Sequence, residues 1–376
     1  MLTPRMRVPY TGIFSTPAVI PISASTIPGA VAALQQFFAA ASPSRPLSNT
    51  TVLTGAGISV ASGLADYRGP HGTYRTKKIL PVFFNLFMYS HEARQRYWSR
   101  SFMGWTTWNK AKPNASHFAL RQLGDLGLIN NVITQNVDSF HTMAHPDIPT
   151  TELHGYLRSC VCMSCHEELP RDAFQGELAR LNPGWASFLQ KVLASGILDE
   201  DISIRNTKAR AMGMWVNPDG DLHVEGMSDE TFRYPPCPKC LKNPPVLPDG
   251  SRAVIRVDAD GAFDDPTGTA GILKPAVIMF GQNVNQPVKA AAERIIEKTD
   301  KLLILGSSLA AYSSWQLAKR AKDRGIPIAI INIGGVRGES ELFGDLNPYQ
   351  DGRQGVRIDM STGDVLPALV EKLRQL

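Results

Sequence analysis

The carboxyl-terminal part of the chain alternates between short apolar runs and amphipathic segments. Apolar runs of strand length occupy Ala276–Phe280, Lys301–Gly306 and Ile328–Ile333. Between them, Gln286–Lys298 and Ser314–Arg324 carry apolar residues three and four positions apart, which is the period of a helix with one buried face. Strands and helices that alternate in this way predict a parallel, doubly wound α/β sheet.

The first half of the chain contains strands of the same kind, separated by a longer helical segment. The apolar run Val52-Leu53 precedes a glycine-rich loop, and Leu128–Thr134 forms a second predicted strand. The region Phe83–Trp108 is rich in aromatic residues and is predicted to be helical. Open α/β sheets bind ligands at the carboxyl ends of their strands, so the polar run Gln135–Asp138 favours a binding site.

Between Cys160 and about Leu273 the periodicity weakens, and Pro, Gly, Asp and Cys become frequent. This change predicts a small module inserted into the α/β domain. The predicted organisation is a leader over residues 1–47, an α/β domain over 48–159 and 272–376 with a helical segment at about 76–116, and the inserted module over 160–271.

Composition narrows the class of protein. The 376 residues, 43% of them apolar, suffice for these domains. The net charge of +5 is small and the basic residues are dispersed, which argues against a nucleic-acid surface or a polybasic membrane patch. No apolar run reaches the roughly 18 residues that a spanning helix needs. We therefore expect neither direct nucleic-acid binding nor membrane attachment.

The amino-terminal segment has a distinct composition. No Asp or Glu precedes Asp66, whereas Arg5, Arg7 and Arg45 are basic and Ser, Thr, Pro and Ala are frequent. An acid-free segment of this kind is typical of a mitochondrial presequence and predicts the mitochondrial matrix. Its prolines disfavour a clean amphipathic helix, which leaves the alternative of a disordered tail leading into a helix at Val31–Ala41 in a cytoplasmic or nuclear protein.

The cysteine spacing indicates a metal site. Cys162 and Cys165, like Cys237 and Cys240, are separated by two residues, so each pair can offer two thiolates to one metal ion. Four sulfur ligands leave no open coordination position, and we predict a structural zinc site. Two disulfides or a redox dithiol are the alternatives. Cys160 is expected to be a small buried residue and not a ligand.

The loop after Val52-Leu53 carries the features of a phosphate-binding loop. Gly55 and Gly57 lack side chains, so backbone N–H groups can approach a phosphate closely. The next glycine, Gly63, is too distant for the dinucleotide fingerprint of conventional dehydrogenases. Hydroxyl, carboxylate and guanidinium groups follow through Arg68, and an ordinary turn does not need them.

The run from Gly55 to Arg68 resembles the nucleotide-binding signature of the sirtuins, a family of NAD-dependent protein deacylases. Further matches occur in the family's order around the two cysteine pairs, and the resemblance covers roughly Val52 to Leu366. It implies a Rossmann-like, doubly wound parallel sheet with an inserted zinc-binding domain, and NAD+ and Zn²⁺ as cofactors. These matches are Thr134–His141, His154-Gly155, Gly306–Leu309 and Asn332–Gly334.

The resemblance also implies the roles of individual residues. His154 and Asn136 would be the catalytic residues, with His154 as the general base, and an imidazole pKa near neutrality would suit that task. Asp138, with Asn136 and Ser59 near it, would hold and twist the nicotinamide so that its glycosidic bond can break. NAD+ is then consumed, without hydride transfer. The residues expected to contact NAD+ are Gly55, Ala56, Gly57, Ser59, Asp66, Tyr67, Arg68, Tyr74, Gln135, Asn136, Val137, Asp138, Gly306, Ser307, Ser308, Asn332, Ile333, Gly334 and Thr362.

Two residues suggest which acyl chains the protein accepts. Tyr97 and Arg100 are three positions apart, so on a helix they share a face and can grip a carboxylate. The pair is similar to the Tyr-x-x-Arg pair by which some mitochondrial sirtuins accept acidic acyl chains. The alternative is an aromatic and basic helix that packs on its neighbours. His117, His141 and His145 are expected to be structural.

Short runs such as Arg94–Trp98 and Leu273-Lys274-Pro275 resemble the class II sirtuins of the mitochondrial lipoamidase and ADP-ribosyltransferase type. The chain departs from the family at Ala65, where proline is usual, and at Gln282, where an acid is usual. An insertion at about 241–271 has the composition of an exposed loop.

The leading functional prediction is an NAD-dependent protein-lysine deacylase that acts on acyl-lysine proteins and transfers the acyl group to ADP-ribose with release of nicotinamide. A protein mono-ADP-ribosyltransferase that uses the same NAD site is one alternative. A non-catalytic NAD- and zinc-binding reader of acyl-lysine is another, which the presence of His154, Asn136 and Asp138 disfavours.

Overall fold

The computed structural model describes residues 14–40, 49–69, 72, 82–196, 214–216 and 222–375. The described residues form two compact units, the first from Met1–Lys78, Lys112–His154 and Val284–Leu376, and the second from Ile79–Ala111 and Gly155–Asn283. Among the described residues, no helix has both the length and the apolar character needed to cross a bilayer.

Strands and helices follow one another along the described residues. The strands are β1 Thr50–Thr54, β2 Asn131–Thr134, β3 Thr150–Glu152, β4 Gly155–Cys162, β5 Glu168–Pro170, β6 Met214–Val216, β7 Leu222–Val224, β8 Leu273–Val277, β9 Lys301–Leu305, β10 Ile328–Ile331 and β11 Gly355–Ile358. The helices are α1 Ile27–Ala39, α2 Phe84–Tyr89, α3 His91–Lys110, α4 Ala115–Asp125, α5 Phe140–Ala144, α6 Arg171–Leu181, α7 Pro183–Ala194, α8 Pro238–Lys242, α9 Gln286–Glu297, α10 Tyr312–Asp323, α11 Glu339–Phe343 and α12 Thr362–Leu373. Short 3₁₀ helices occupy Ile22–Ser25, Ala56–Ser62 and Asp229–Thr231.

The first unit is built on a six-stranded sheet with the order β11-β10-β9-β1-β2-β3. Every pairing in it is parallel, which confirms the predicted doubly wound α/β class. The chain leaves β1 toward β2 on one side, and β9 lies on the other side. This reversal is the topological switch point at which such sheets bind ligands, and it brings the loops after β1 and β9 together.

Strand β1 is covered on both faces. Successive strand side chains point to opposite sides, so Val52 packs in one apolar cluster and Leu53 in another, and both are fully buried. The cluster around Val52 is completed by α1, α4 and α12, and the cluster around Leu53 by α9 and α10. Burial on both faces explains why these strands appear in the sequence as continuous apolar runs.

Part of the predicted leader belongs to this core. The helix Ile27–Ala39 begins with a Thr26 hydroxyl that accepts a hydrogen bond from the Gly29 N–H at 3.3 Å. Its Leu34 and Phe37 side chains are fully buried against the sheet. A helix therefore stands where the alternative interpretation expected one, with different bounds, and residues 27–39 are part of the first unit. Mitochondrial targeting itself stays a prediction.

The second unit has a three-stranded antiparallel sheet, β5-β4-β8, and the separate hairpin β6-β7. The strand expected at Ala276–Phe280 in the parallel sheet is instead β8, paired with β4. The helical segment at 76–116 was assigned to the α/β domain, but its described residues from 82 to 111 belong to the second unit. The reason is that Trp98 of α3 packs on Phe174 of α6, with ring centroids 4.6 Å apart.

The insertion near 241–271 is more than an exposed loop. Phe263 is only 5% exposed and stacks on Tyr234, with ring centroids 5.8 Å apart and planes inclined by 16°. Arg233 donates hydrogen bonds to Asp258 at 3.0 Å and to Asp260 at 2.9 Å. The expectation of an exposed loop is therefore wrong for Phe263, which contributes an aromatic ring to the core of the second unit.

Candidate active site and metal centre

The loops after β1 and β9 pack backbone to backbone. The N–H of Gly55 donates to the carbonyl of Leu305 at 3.0 Å, and the N–H of Gly57 donates to the carbonyl of Gly306 at 2.8 Å. A Cβ on Gly57 would lie 2.8 Å from the Gly306 Cα, and a Cβ on Gly306 would lie 2.3 Å from the Ile58 nitrogen. These two N–H groups therefore join the loops to each other, whereas the sequence suggested that they face a phosphate. The glycines are required because no side chain fits between the loops.

Asn136, Ser59 and Asp138 form one hydrogen-bonded cluster beside this contact. The Asn136 amide donates to the Gly55 carbonyl at 3.1 Å and to the Ser59 hydroxyl at 3.2 Å. Ser59 donates in turn to Asp138 at 2.7 Å, and the Phe140 N–H binds the other Asp138 oxygen at 3.0 Å. Burial raises the pKa of Asp138, and these two donated hydrogen bonds oppose the rise. The structure thus brings together three residues that the sequence assigned to one site.

Gln135 joins the segments after β2 and β9. Its side-chain amide donates to the Thr54 carbonyl at 3.1 Å and to the Ser307 hydroxyl at 2.8 Å. The Ser307 hydroxyl also accepts the Leu309 N–H at 3.2 Å. Both residues were predicted to contact NAD+, and the structure places them in direct contact with each other.

The loop after β10 is held by a buried arginine. The Asn332 amide donates to the carbonyls of Ile333 and Gly334 at 3.0 and 3.1 Å, within its own loop. Arg357 is fully buried, donates to the Gly334 carbonyl at 2.6 Å and pairs with Glu339. Ile333 is left 53% exposed, so this loop presents an apolar side chain at the surface.

The other predicted contacts lie around the same sheet edge of the first unit. Asp66 accepts the Gly69 N–H at 3.1 Å. The carbonyl of Ser308 accepts the Arg337 N–H at 2.9 Å. Thr362 opens α12 and accepts a hydrogen bond from Ser116 at 3.2 Å. Ala56 lies in the 3₁₀ helix, Tyr67 and Arg68 in the loop beyond it and Val137 in the turn after β2, whereas Tyr74 lies outside the described residues.

The hydrogen bonds of His154 define which of its nitrogens is the base. Nδ1 lies 3.1 Å from the carbonyl oxygen of Gln135, which can only accept, so Nδ1 carries the proton. Nε2 therefore has a free electron pair, which accepts the Ser313 hydroxyl at 2.8 Å. Burial lowers the pKa of His154 to about 4, and the hydrogen bond to Gln135 opposes that shift. The expectation of a pKa near neutrality is wrong, because the surrounding protein disfavours the charged ring.

Three further histidines are buried beside this site. His117, His141 and His145 are each at most 1% exposed. Burial lowers all three pKa values, that of His117 to about 3. His117 accepts the N–H of Asn114 at 3.3 Å, and Asn114 in turn donates to the Ile58 carbonyl at 2.8 Å. Asn114, which caps α4, is thereby hydrogen-bonded to the glycine loop as well.

These pKa shifts predict acid sensitivity. Folding favours neutral His117 and His154, so below the unfolded-state pKa of about 6.5 the unfolded chain binds protons that the folded chain does not. The stability that these two groups contribute is present above that pH and falls as the pH drops toward 4. Each group contributes up to about 1.4 kcal/mol per pH unit, so we expect a loss of about 4 kcal/mol between pH 7.5 and 5.

Denaturant unfolding at constant ionic strength, from pH 7.5 to 5, measures this loss. His141 and His145 shift in the same direction and add to it. The variant His117→Gln removes one titrating group, so its stability should depend less steeply on pH. A wild-type free energy of unfolding that stays constant or rises as the pH falls to 5 would contradict the prediction.

Four cysteine sulfurs converge in the second unit. The Sγ atoms of Cys162, Cys165, Cys237 and Cys240 all lie within 4.8 Å of one another. Cys162 and Cys240 are 3.6 Å apart, and Cys165 and Cys237 are 3.7 Å apart. A disulfide needs about 2.05 Å, so the disulfide alternative is wrong. A zinc ion with bonds of about 2.3 Å to four sulfurs places them about 3.8 Å apart, which fits the cluster.

Cys160 stands apart from this cluster. Its side chain is fully buried, and burial raises its pKa to about 12, although nearby Arg171 and Lys274 act in the opposite direction. It is therefore a buried neutral thiol, as expected.

The predicted acyl-binding pair lies in the second unit. Tyr97 contacts Phe87 edge to face, with ring centroids 5.3 Å apart. The Arg100 Nε atom lies 3.8 Å from a carboxylate oxygen of Asp229, whose other oxygen accepts the Ser99 hydroxyl at 2.6 Å. The Arg100 side chain is 20% exposed. One turn of α3 thus carries both predicted residues, and Asp229 is a third residue that sequence reasoning did not identify.

Sequence reasoning also missed Ser313, the partner of His154, and Asn114, which holds the glycine loop. The spacing Asn114-x-x-His117 is a capping-box pattern that indicates Asn114 in advance. Ser313 is 159 residues from His154 in the chain, so no sequence pattern near His154 indicates it as the partner.

Comparison with known proteins agrees with this geometry. Residues 55–313 match the model of the Sir2 family. The chain is 36% identical over 331 residues to the NAD-dependent protein deacylase SIR4 of Batrachochytrium dendrobatidis, covering 86% of this chain and 90% of that protein. It is 35% identical to the NAD-dependent protein deacylase SRT2 of Arabidopsis thaliana, covering 78% of this chain and 68% of the relative. The chain belongs to the Sir2 family, the sirtuins.

Solved structures show the same fold. A structure of Sir2Tm bound to a propionylated peptide superposes with a TM-score of 0.54 at 20% identity, covering 91% of this chain and 97% of that one. A Sir2–p53 peptide–NAD+ complex superposes with a TM-score of 0.52 at 19% identity, covering 87% and 94%. The Rossmann-like sheet with a small second module is therefore the sirtuin fold.

Proposed function

We propose that the protein is an NAD-dependent protein-lysine deacylase. The reaction converts an acyl-lysine, NAD+ and water into lysine, O-acyl-ADP-ribose and nicotinamide. The family assignment supports this function, as do relatives that are NAD-dependent protein deacylases or deacetylases. The observation that carries the proposal is the unprotonated Nε2 of His154, held in this tautomer by the hydrogen bond from Nδ1 to Gln135, which directly precedes Asn136 of the polar cluster.

His154 acts as the general base through Nε2. The Ser313 hydroxyl donates to that nitrogen, so a ribose hydroxyl has to replace it. Burial lowers the pKa of His154, which keeps its ring in the neutral form, and only that form can accept a proton. It takes the proton as the hydroxyl oxygen forms its new bond to the acyl carbon, because the hydroxyl becomes acidic at that moment.

Asn136, Ser59 and Asp138 position the nicotinamide end of the substrate NAD+. They are pre-organised by their mutual hydrogen bonds, so little ordering remains to be done when the substrate binds. When bound, NAD+ supplies an electrophilic ribose carbon with nicotinamide as the leaving group. The three side chains would hold that group in the orientation in which its bond to the ribose breaks.

Product analysis tests the proposal. Purified protein is incubated with NAD+ and a panel of acetyl-, succinyl-, glutaryl-, methylglutaryl- and lipoyl-lysine peptides, and products are identified by mass spectrometry. Equal amounts of nicotinamide, O-acyl-ADP-ribose and free lysine peptide are expected. ADP-ribosylated protein without deacylated peptide would indicate the mono-ADP-ribosyltransferase instead, and no consumption of NAD+ would indicate a non-catalytic reader.

We further propose that the acyl pocket accepts acidic chains through Tyr97 and Arg100, as in the class II type. The pair lies on one face of α3, and Arg100 forms a loose ion pair with Asp229, with 3.8 Å between Nε and the carboxylate oxygen. Within the described residues, the Arg100 Nε atom is buried without a hydrogen-bond partner. A carboxylate on the acyl chain would supply that partner, in competition with Asp229.

Two variants with opposite effects test this acyl preference. Arg100→Met should lower kcat/KM for succinyl- and glutaryl-lysine by about 10- to 100-fold, because a charge-assisted hydrogen bond contributes roughly 1.5–3 kcal/mol. Acetyl-lysine should be affected less than threefold. Asp229→Asn removes the competing charge, can still accept the Ser99 hydroxyl, and should raise activity on acidic chains. Equal effects of each variant on acidic and neutral chains would contradict the assignment.

Two finer predictions rest on sequence alone. The lipoamidase and ADP-ribosyltransferase activities of the class II type are supported by the short motifs around Arg94–Trp98 and Leu273-Lys274-Pro275. Mitochondrial localisation is supported by the absence of acidic residues before Asp66.

A further inference from the structure

A row of buried hydrogen bonds runs from His145 to the end of β2. His145 Nε2 lies 2.9 Å from His141 Nδ1, and His141 Nε2 lies 2.9 Å from the Thr54 hydroxyl. The Thr54 hydroxyl donates to the Thr134 hydroxyl at 2.8 Å. All four side chains are at most 3% exposed, so water does not compete for these contacts.

The direction of every bond in this row follows from Thr54. Its single proton is donated to Thr134, so its oxygen has to accept the proton on His141 Nε2. A neutral His141 then has a bare Nδ1, which has to accept a proton from His145 Nε2. The remaining buried nitrogen, His145 Nδ1, is a bare acceptor without a partner among the described residues.

The row ends on the residues that we assign to the NAD+ site. The Thr134 hydroxyl accepts the backbone N–H of Asn136 at 3.1 Å. The Asn136 side chain holds Ser59, and Ser59 holds Asp138. His145 is thus the first member of a series of hydrogen bonds that passes through the backbone and side chain of Asn136 and ends at the part-buried contact between Ser59 and Asp138.

We propose that His145 is a positioning residue for nicotinamide release: its Nε2–H fixes the tautomer of His141, and through Thr54 and Thr134 it sets the orientation of Asn136. The proposal rests on the deacylase function proposed above. His145 touches no substrate in this account and transfers no proton. Burial lowers the pKa of both histidines, which favours their neutral forms.

Imidazole NMR spectra test the direction of the row without any turnover. The protein contains eight histidines, and spectra of histidine-labelled wild type and single variants assign two of the rings. We expect both His141 and His145 as the tautomer protonated on Nε2. A tautomer protonated on Nδ1 for His141 would overturn the proposal, even if the protein proved inactive on every acyl peptide.

Matched substitutions at His145 test its effect on catalysis. A glutamine amide can reach the position of His145 Nε2 and donate to His141, an asparagine amide cannot, and a leucine has no donor. We expect His145→Leu and His145→Asn to lower kcat for nicotinamide release about five- to tenfold, with KM for the acyl peptide within twofold, because one hydrogen bond is lost. His145→Gln should recover activity to within threefold of wild type.

The kcat values and melting temperatures of the three variants distinguish a positioning role of His145 from an effect on stability alone. If Gln, Asn and Leu lower kcat equally, or if the losses follow the melting temperatures, the positioning role is refuted. Should the leucine variant fail to fold, the comparison of Gln with Asn gives the same decision. If wild type releases no nicotinamide with any acyl peptide, the proposed deacylase function is wrong. The tautomers of His141 and His145 measured by NMR, together with the NAD+ dissociation constants of the variants, then still show whether the row orders the site.

Discussion

Replacing His154 with asparagine is expected to lower kcat for deacylation by about 10²- to 10⁴-fold, the usual contribution of a general base. The asparagine amide stands near the position of imidazole Nδ1 and can still donate to the Gln135 carbonyl. It has no counterpart to Nε2, so it removes the proton acceptor while keeping the loop contact. The Kd for NAD+, measured by calorimetry, should stay within about threefold of wild type.

Ser313→Ala is the companion variant. The Ser313 hydroxyl donates to Nε2, the nitrogen that has to accept the ribose proton. Its removal leaves the base in place, so Ser313→Ala should keep kcat within about threefold of wild type while His154→Asn loses it. If His154→Asn retained more than a tenth of the wild-type kcat, Nε2 would not be the base.

The sheet could be predicted from sequence because its strands are buried on both faces. β9 and β10 appear as continuous apolar runs, and the amphipathic helices between them have one clear face. The bounds predicted for α9 and β9 agree with the structure to within a residue at each end. The four cysteines of the metal site could also be identified from the sequence, because the two cysteines of each pair are only three positions apart.

The sequence could not predict in the same way which of the two units contains α3. An apolar helix face indicates that the helix is buried but does not indicate in which core. Trp98 and Phe102 pack with Phe174 and Phe232, residues far away in the chain, and that choice depends on side-chain shape.

The electrostatics of the site were also beyond sequence reasoning. The motif around His154 identified the residue, but its lowered pKa is caused by burial, which only the folded chain defines. The sequence identified the glycine loop on the argument that its N–H groups approach a phosphate. In the structure the N–H groups of Gly55 and Gly57 instead donate to carbonyl groups of the segment at the end of β9. Motifs therefore located the site, and hydrogen-bond partners distant in sequence determine how it works.

Loss of one metal ligand is expected to unfold the second unit. Cys237→Ser removes one of four sulfurs and leaves a site that holds zinc poorly, and structural zinc contributes directly to folding. We expect the stability of this unit to fall by about 4 kcal/mol or more, with the zinc content dropping from about one ion per chain to less than a tenth.

Cys160→Ala provides the matched control, because Cys160 lies in the same strand as Cys162, is equally buried and is not one of the four converging sulfurs. It should keep its zinc and lose only the packing of one small side chain, about 1 kcal/mol. Zinc is measured by mass spectrometry of the purified chain, and unfolding by the fluorescence of Trp98 and Trp185, which are buried in the core of this unit. A Cys237→Ser protein that is metal-free yet keeps the wild-type fluorescence transition would show that the cysteines do not form a structural zinc site. Loss of zinc from Cys160→Ala but not from Cys237→Ser would instead assign the ligand role to Cys160, which the 3.7 Å contact between Cys165 and Cys237 argues against.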